Sequence, residues 1–285
     1  MSNCSGFSRL LGMAVTVTAL VLSPSARADG PDLGFHIGVA PHASARVILE
    51  LYQPLRESLQ AGLGLPVEVV TAPDFTTYAR RALAQDYDIA IVAGQQARVL
   101  ETDGGYRPLV AYKAEFRTVA VVAAASAIQG PRDLAGTAIA GLGSASLADI
   151  WGLEWLRSAG IAVPEVTQVS AADSMARLIL SGRVSVGFMS LASFQFLDPE
   201  IRAQLRVLAT SGPMLGRVYM LNARYEWRRD KVMESLRAFS ESPAGKRHFD
   251  QVHLEGYRDV GPDELTAMEP YAQQVRETLK KAANK

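Results

Sequence analysis

The sequence predicts an α/β protein of two doubly wound lobes that are joined by a hinge of crossing strands. Short apolar segments alternate with amphipathic helical segments in two successive series, which is typical of βαβ units. Loops of small and polar residues follow the strands of both series. The chain of 285 residues is long enough for two lobes of ordinary size.

The first series begins with the apolar strand Phe35–Val39. Apolar residues then recur at three and four positions from Val47 to Leu59, which predicts a helix with Pro54 inside it, either as a kink or as the start of its second half. Further strands are predicted at 66–71, 88–93, 108–113 and 117–123, and helices at 75–84 and 98–100.

The second series alternates in the same way and is followed by a polar, helix-rich C-terminal region. We expect the strand 117–123 to carry the chain into the second lobe and the region 209–219 to carry it back. The predicted strands are 137–140, 165–169, 184–189, 205–210 and 216–221, and the helices are 146–158, 173–181, 190–197, 225–239 and 262–282. One predicted lobe comprises residues 29–114 and 214–285, and the other comprises residues 115–213.

Residues 1–28 have the pattern of a secretory signal peptide. Arg9 precedes the uncharged apolar run 10–22, and Ala26-Arg27-Ala28 fits the small-residue cleavage rule. The apolar run is too short to span about 30 Å of hydrocarbon as a helix. We therefore expect export to the periplasm and a mature chain that begins at Asp29.

Charge and cysteine content argue against a nucleic-acid-binding protein and against one that depends on disulfides or thiols. Removal of 1–28 leaves 27 Lys and Arg against 29 Asp and Glu, whereas nucleic-acid-binding domains usually carry a basic excess. The only cysteine, Cys4, would be lost with the leader, so neither a disulfide framework nor thiol chemistry is expected.

The segment 136–151 predicts a strand, a glycine loop and the start of a helix. Gly143, Ser144, Ala145 and Ser146 precede the first helical turn, where unpaired N–H groups and a partial positive charge favour an oxyanion. The simpler interpretation is that Ser144 or Ser146 only caps the helix. The third glycine of a dinucleotide fingerprint is missing, so no cofactor is expected.

Other candidate ligand contacts follow strands at the carboxyl edge of each sheet, where ligands of such folds bind. His42 follows the first strand, Gln95 and Gln96 lie in a predicted loop after the third, and Ser190 follows the strand 184–189. A solvated histidine, solvent-facing glutamines and a helix-capping serine are the alternatives. The chain shows no histidine spacing typical of metal sites and no catalytic motif, which favours a binding protein over an enzyme.

The chain resembles the phosphate, phosphite and phosphonate-binding periplasmic proteins of ABC transporters. The resemblance covers nearly the whole mature chain. It is carried by Tyr52-Gln53-Pro54-Leu55, Gly64-Leu65-Pro66-Val67-Glu68, Ala72-Pro73-Asp74-Phe75, Tyr87-Asp88-Ile89-Ala90, Gly105-Tyr106-Arg107-Pro108-Leu109, Asp133-Leu134-Ala135-Gly136 and Ser181-Gly182-Arg183-Val184.

The resemblance implies a type II periplasmic binding fold, a venus flytrap that closes on a small oxyanion, without catalysis or cofactor. It implies a monomer that works with an ABC transporter permease; a module that signals to a membrane sensor kinase is the alternative. The family's loop is usually Ser-Thr-Ser followed by Gly-Tyr, whereas this chain has Ser144-Ala145-Ser146-Leu147-Ala148 and so lacks one hydroxyl and the tyrosine.

Overall fold

The computed structural model describes residues 34–162, 165–252 and 254–284, so the predicted leader lies outside the described residues. In chain order the strands are β1 (Phe35–Val39), β2 (Val67–Val70), β3 (Ile89–Ala93), β4 (Tyr106–Tyr112), β5 (Thr118–Ala123), β6 (Ile139–Gly141), β7 (Val166–Gln168), β8 (Val186–Ser190), β9 (Leu205–Thr210), β10 (Arg217–Asn222) and β11 (Tyr257–Arg258).

The helices surround these strands. They are α1 (Ala45–Leu63), α2 (Phe75–Leu83), α3 (Gly94–Asp103), α4 (Leu147–Ser158), α5 (Ala172–Leu180), α6 (Leu191–Gln195), α7 (Pro199–Ala203), α8 (Arg229–Glu241), α9 (Pro243–Val252), α10 (Glu264–Ala267) and α11 (Glu269–Ala283).

The strands form two mixed sheets, and the predicted α/β fold class is confirmed. The first sheet has the order β11-β4-β10-β3-β1-β2, and the second has the order β7-β6-β8-β5-β9. Strand β1 is parallel to β2 and β3, and β6 is parallel to β7 and β8. Strand β10 is antiparallel to both of its neighbours, as is β5.

Two segments carry the chain between the sheets. It leaves the first sheet after β4, enters the second at β5, and returns after β9 to insert β10 between β3 and β4. The segments meet where the Met214 N–H donates to the Phe116 carbonyl at 2.9 Å. This crossing brings the start of β10 close to the second sheet.

The central strands are buried, as their apolar sequences predict. The residues Ile89 to Val92 of β3 are buried on both faces, and α1 turns Ile48, Tyr52 and Leu55 towards the core. Full burial of such a side chain contributes about 1.5–3 kcal/mol to folding. Helix α1 runs without interruption from Ala45 to Leu63, so Pro54 does not divide it.

One local prediction was wrong at a candidate site. Helix α3 begins at Gly94, so Gln95 and Gln96 lie in its first turn and not in a loop. A Cβ at position 94 would lie 2.8 Å from the Leu215 carbonyl oxygen. The segment just before β10 therefore passes so close to the start of α3 that only glycine fits there. Among the described residues, no helix is both long and apolar enough to cross a membrane.

Candidate functional site

The glycine loop after β6 is held by a buried carboxylate. Asp149, in the first turn of α4, accepts hydrogen bonds from the Leu142 and Gly143 N–H groups, each at 2.9 Å. A Cβ at Gly141 would lie 2.2 Å from the Asp149 carboxylate, so the close approach requires glycine there. Burial raises the pKa of Asp149 to about 7, although the two N–H donors act in the opposite direction.

Ser146 is the N-cap residue of α4, but its hydroxyl does not cap the helix. The Ser146 N–H donates to the Gly143 carbonyl at 2.7 Å, and the side chain is buried without a hydrogen bond to another described residue. A helix N-terminus leaves N–H donors without intrahelical partners. The Ser146 hydroxyl and the first N–H groups of α4 are therefore hydrogen-bond donors that a ligand could use.

Gln95 and Gln96 contact the glycine loop from the first sheet's side. Their side-chain Nε2 atoms lie 3.1 and 3.4 Å from the Ala145 carbonyl oxygen. The Ala145 side chain is fully buried. Ser144 is exposed, and its carbonyl lies 3.4 Å from the Thr278 hydroxyl. The loop before α4 therefore contacts both α3 and α11.

A cavity lies between the two sheets and encloses about 460 Å³ of empty space, including its opening to solvent. Residues of the first sheet's side, among them Phe75, face residues at the start of α4 across it. We call it the Ser146 cavity. Its polar lining residues are His42, Ser146, Ser190, Ser193 and Arg217.

Arg217 supplies the positive charge of the Ser146 cavity. It is the first residue of β10, is partly buried, and lines two adjoining cavities as well. Within the described residues its side chain has neither a hydrogen bond nor an ion pair. Arg117, which lines one of the adjoining cavities, is instead paired with Glu115 at 2.7 Å.

His42 is a neutral histidine of defined tautomer. Its Nδ1 atom lies 2.9 Å from the Ala40 carbonyl oxygen, which can only accept, so Nδ1 carries the proton. Burial lowers the pKa of His42 well below its ordinary value, and the charge of Arg217 lowers it further. The Nε2 atom of the neutral ring is therefore a hydrogen-bond acceptor.

Ser190 and Ser193 form a directed pair at the start of α6. The Ser190 hydroxyl caps this helix by accepting from the Ser193 N–H at 3.0 Å, and it donates to the Ser193 hydroxyl at 2.7 Å. Since the proton of the Ser193 hydroxyl has no acceptor among the described residues, it is available to a ligand.

The structure brings together some of the residues that the sequence singled out. His42, Ser146 and Ser190 share one cavity, whereas Gln95 and Gln96 bind the loop behind it. Gly143 presents its N–H to Asp149 and Ser144 faces solvent. Sequence reasoning considered Ser193 with Ser190 as a helix cap or a ligand contact, and it missed Arg217 and Asp149. The available signal for Arg217 was a charged residue at the start of an otherwise apolar strand.

Two further features of the described residues do not make a competing site. A wider hollow of about 1020 Å³ shares no lining residue with the Ser146 cavity. Of its charged lining residues, Arg258 and Glu264 pair with each other at 2.7 Å, Glu115 pairs with Arg117, and Lys113 is exposed to solvent. Groups of His, Cys, Asp or Glu able to hold a metal ion are absent from the described part of the chain.

Residues 37–265 match the family model described as ABC transporter, phosphonate, periplasmic substrate-binding protein. A search of curated protein sequences finds no match to this chain.

Solved structures with the same fold include phosphonate-binding proteins. PhnD1 from Prochlorococcus marinus, in complex with methylphosphonate, aligns with a TM-score of 0.76 and 14% identity over 86% of this chain and 99% of its own. A binding protein component of an ABC phosphonate transporter from Pseudomonas aeruginosa aligns with a TM-score of 0.74 and 13% identity over 88% and 94%. A Xanthomonas citri protein bound to chloride aligns with a TM-score of 0.70 and 17% identity over 86% and 99%.

Proposed function

Because this chain belongs to the periplasmic substrate-binding proteins of phosphonate ABC transporters, we propose that it binds a small oxyanion in the cleft between its sheets. Phosphonate, phosphite and phosphate are the ligand class. The observation that carries the proposal is the Ser146 cavity, where an unpaired guanidinium, unused hydroxyls and a helix N-terminus converge. Such groups stabilise an anion through charge-assisted hydrogen bonds.

The proposed mechanism is closure of two lobes on the ligand. Residues 29–114 with 214–285 form one lobe, residues 115–213 form the other, and the crossing segments act as the hinge. The first lobe contributes Arg217 and His42, and the second contributes Ser146, Ser190 and Ser193. Closure then surrounds the anion with donors from both sides, and the closed form is what a permease recognises.

The proposed setting follows from the family. After cleavage of residues 1–28 the protein works in the periplasm as a monomer, without catalysis, cofactor or nucleic acid, and delivers its ligand to an ABC transporter permease. Ser144, Ala145 and Gly143 support the ligand through the shape of the loop, and Gln95 and Gln96 support it through their bonds to Ala145.

A charge placed at Ser146 tests this function. Ser146→Asp adds a negative charge at the cavity wall, whereas Ser146→Asn has nearly the same size without the charge, and both residues are good N-caps. Two like charges about 4 Å apart repel by about 4 kcal/mol at the effective dielectric constant of a protein surface, which is roughly a thousandfold in affinity. Calorimetric titration with methylphosphonate, phosphite and phosphate measures the effect.

We expect the parent protein to bind at least one of these anions, Ser146→Asn to keep much of that affinity, and Ser146→Asp to lose it. Equal binding by the two variants would place the ligand elsewhere. Absence of binding of all three anions to the parent protein would show that the ligand class is wrong.

A further inference from the structure

We propose that the Ser146 cavity selects an oxyanion that still carries one acidic proton, with Arg217 compensating its negative charge and Nε2 of His42 accepting the hydrogen bond from its protonated oxygen. The ligand class is then a monoprotonated phosphorus oxyacid, and sulfonates and sulfate are discriminated against. This inference rests on the function proposed above and makes its ligand more specific.

The charge balance of the cavity supports a ligand with a single negative charge. Arg217 has no carboxylate partner, and the histidines near it are neutral, since burial lowers the pKa of His248 to about 4 and that of His42 well below its ordinary value. Among the described residues, the guanidinium of Arg217 is thus the only cationic side chain that lines the Ser146 cavity.

The cavity is lined by hydrogen-bond donors and by one group, His42, whose free ring nitrogen can only accept. Arg217 and the start of α4 can only donate, and the hydroxyls of Ser146 and Ser193 each have a proton to give. His42 differs, because the Ala40 carbonyl holds its proton on Nδ1 and leaves Nε2 with a lone pair. An oxyanion can therefore satisfy the His42 acceptor only if one of its oxygens bears a hydrogen.

A sulfonate cannot meet this requirement. It has the shape of a phosphonate, but all of its oxygens are acceptors at neutral pH, so one of them would face the His42 lone pair or leave it without a partner. A site that is built to hydrogen-bond a ligand hydroxyl discriminates strongly against the analogue that lacks it. Loss of one such bond in a buried site corresponds to roughly tenfold to a hundredfold in affinity.

Paired titrations with methylphosphonate and methanesulfonate test the inference. They are done at about pH 6, where phosphorus oxyacids keep much of their second proton. The parent protein is expected to bind methylphosphonate at least about tenfold more tightly than methanesulfonate. Equal affinities would overturn the inference and leave the proposed oxyanion function standing. If methylphosphonate, phosphite and phosphate all fail to bind, the proposed function and this inference fail together.

Two variants separate the roles of the two side chains. His42→Gln replaces the fixed acceptor by an amide that can turn its NH₂ group towards the ligand, so the preference for methylphosphonate should shrink to a few-fold. Arg217→Gln removes the charge, so both anions should lose affinity while their ratio is kept. Thermal melting of each unliganded variant checks that it is folded. A preference that survives unchanged in folded His42→Gln would show that His42 is not the discriminating group.

Discussion

Asp149 shows how one buried side chain determines the form of the glycine loop. Its carboxylate accepts hydrogen bonds from the N–H groups of Leu142 and Gly143, so these donors are not available to a ligand. These two N–H groups are therefore already satisfied within the loop, and of this segment's donors the oxyanion proposed above would have only those at Ser146 and the first turn of α4. Burial raises the pKa of this carboxyl to about 7, so the protonation state of the group that holds the loop changes near neutral pH.

Replacement of Asp149 by Asn should change how stability depends on pH. The folded-state pKa lies above the ordinary value near 3.9, so between about pH 4 and pH 7 the folded protein holds a proton that the unfolded chain has lost. The Asp149 contribution to the free energy of unfolding is fully present below pH 4 and is lost as the pH rises through 7. Asn has no such proton.

The stability advantage of the parent over Asp149→Asn should therefore decrease between about pH 4 and pH 8, by an amount on the order of a few kcal/mol. Urea unfolding of both proteins across this range measures the difference, in which all other titrating groups cancel. A difference that stays constant, or that grows with pH, would contradict a raised pKa at this position.

At the scale of elements, the first turn of α3 meets the loop that precedes α4. Gln95 and Gln96 donate to the same carbonyl of Ala145, and both are buried. These bonds link an element of the first sheet's side to one of the second. If the two lobes close as proposed above, these bonds would contribute to the closed form, because they require both elements to be in contact.

Gln95→Met together with Gln96→Met keeps the side-chain volume and removes both amide donors. A hydrogen bond contributes about 1 kcal/mol net, so loss of two should reduce the affinity for methylphosphonate by about thirtyfold, because the closed form proposed above would be less stable. Gln85→Met is the matched control: the Gln85 amide donates to the Gly104 carbonyl at 3.2 Å within the first sheet's side, so its loss should leave affinity unchanged. Equal effects in the two variants would mean that the Ala145 contact does not favour closure.

At the scale of the whole molecule, two crossing segments connect the sheets. They are bridged at Phe116 and Met214, and the cavity that contains Arg217 lies beside them. If these segments act as the hinge proposed above, closure would change the backbone angles of only a few of their residues. A ligand that bonds to residues on both sides shifts the population towards the closed form by its differential affinity for that form.

Small-angle scattering should therefore report a smaller radius of gyration when methylphosphonate saturates the protein. Ser146→Asp, which we expect not to bind, should show no such change at the same ligand concentration. If saturating ligand left the parent's scattering unaltered, the molecule would be a single rigid body around its cavity, and the proposed lobe boundaries would lose their functional meaning.

The sequence by itself determined the α/β class, the order of the main elements and the loop before α4. Apolar periodicity is a local property, so β1 and β9 have the predicted bounds and α4 begins within one residue of its predicted start. Helix α9 and strand β11 were missed, because their apolar patterns are short and polar residues surround them.

Only the tertiary structure decided which side chains meet. Arg217 reaches the cavity because β10 returns from the second sheet and inserts between β3 and β4, a pairing that no local pattern encodes. Likewise, Gln95 lies in a helix, not in the predicted loop, and donates to the Ala145 carbonyl. The tautomer of His42 follows from its hydrogen bond to the Ala40 carbonyl. Burial, hydrogen-bond partners and charge compensation arise from contacts between distant segments, so the sequence identified the loops of the site while the fold determined their chemistry.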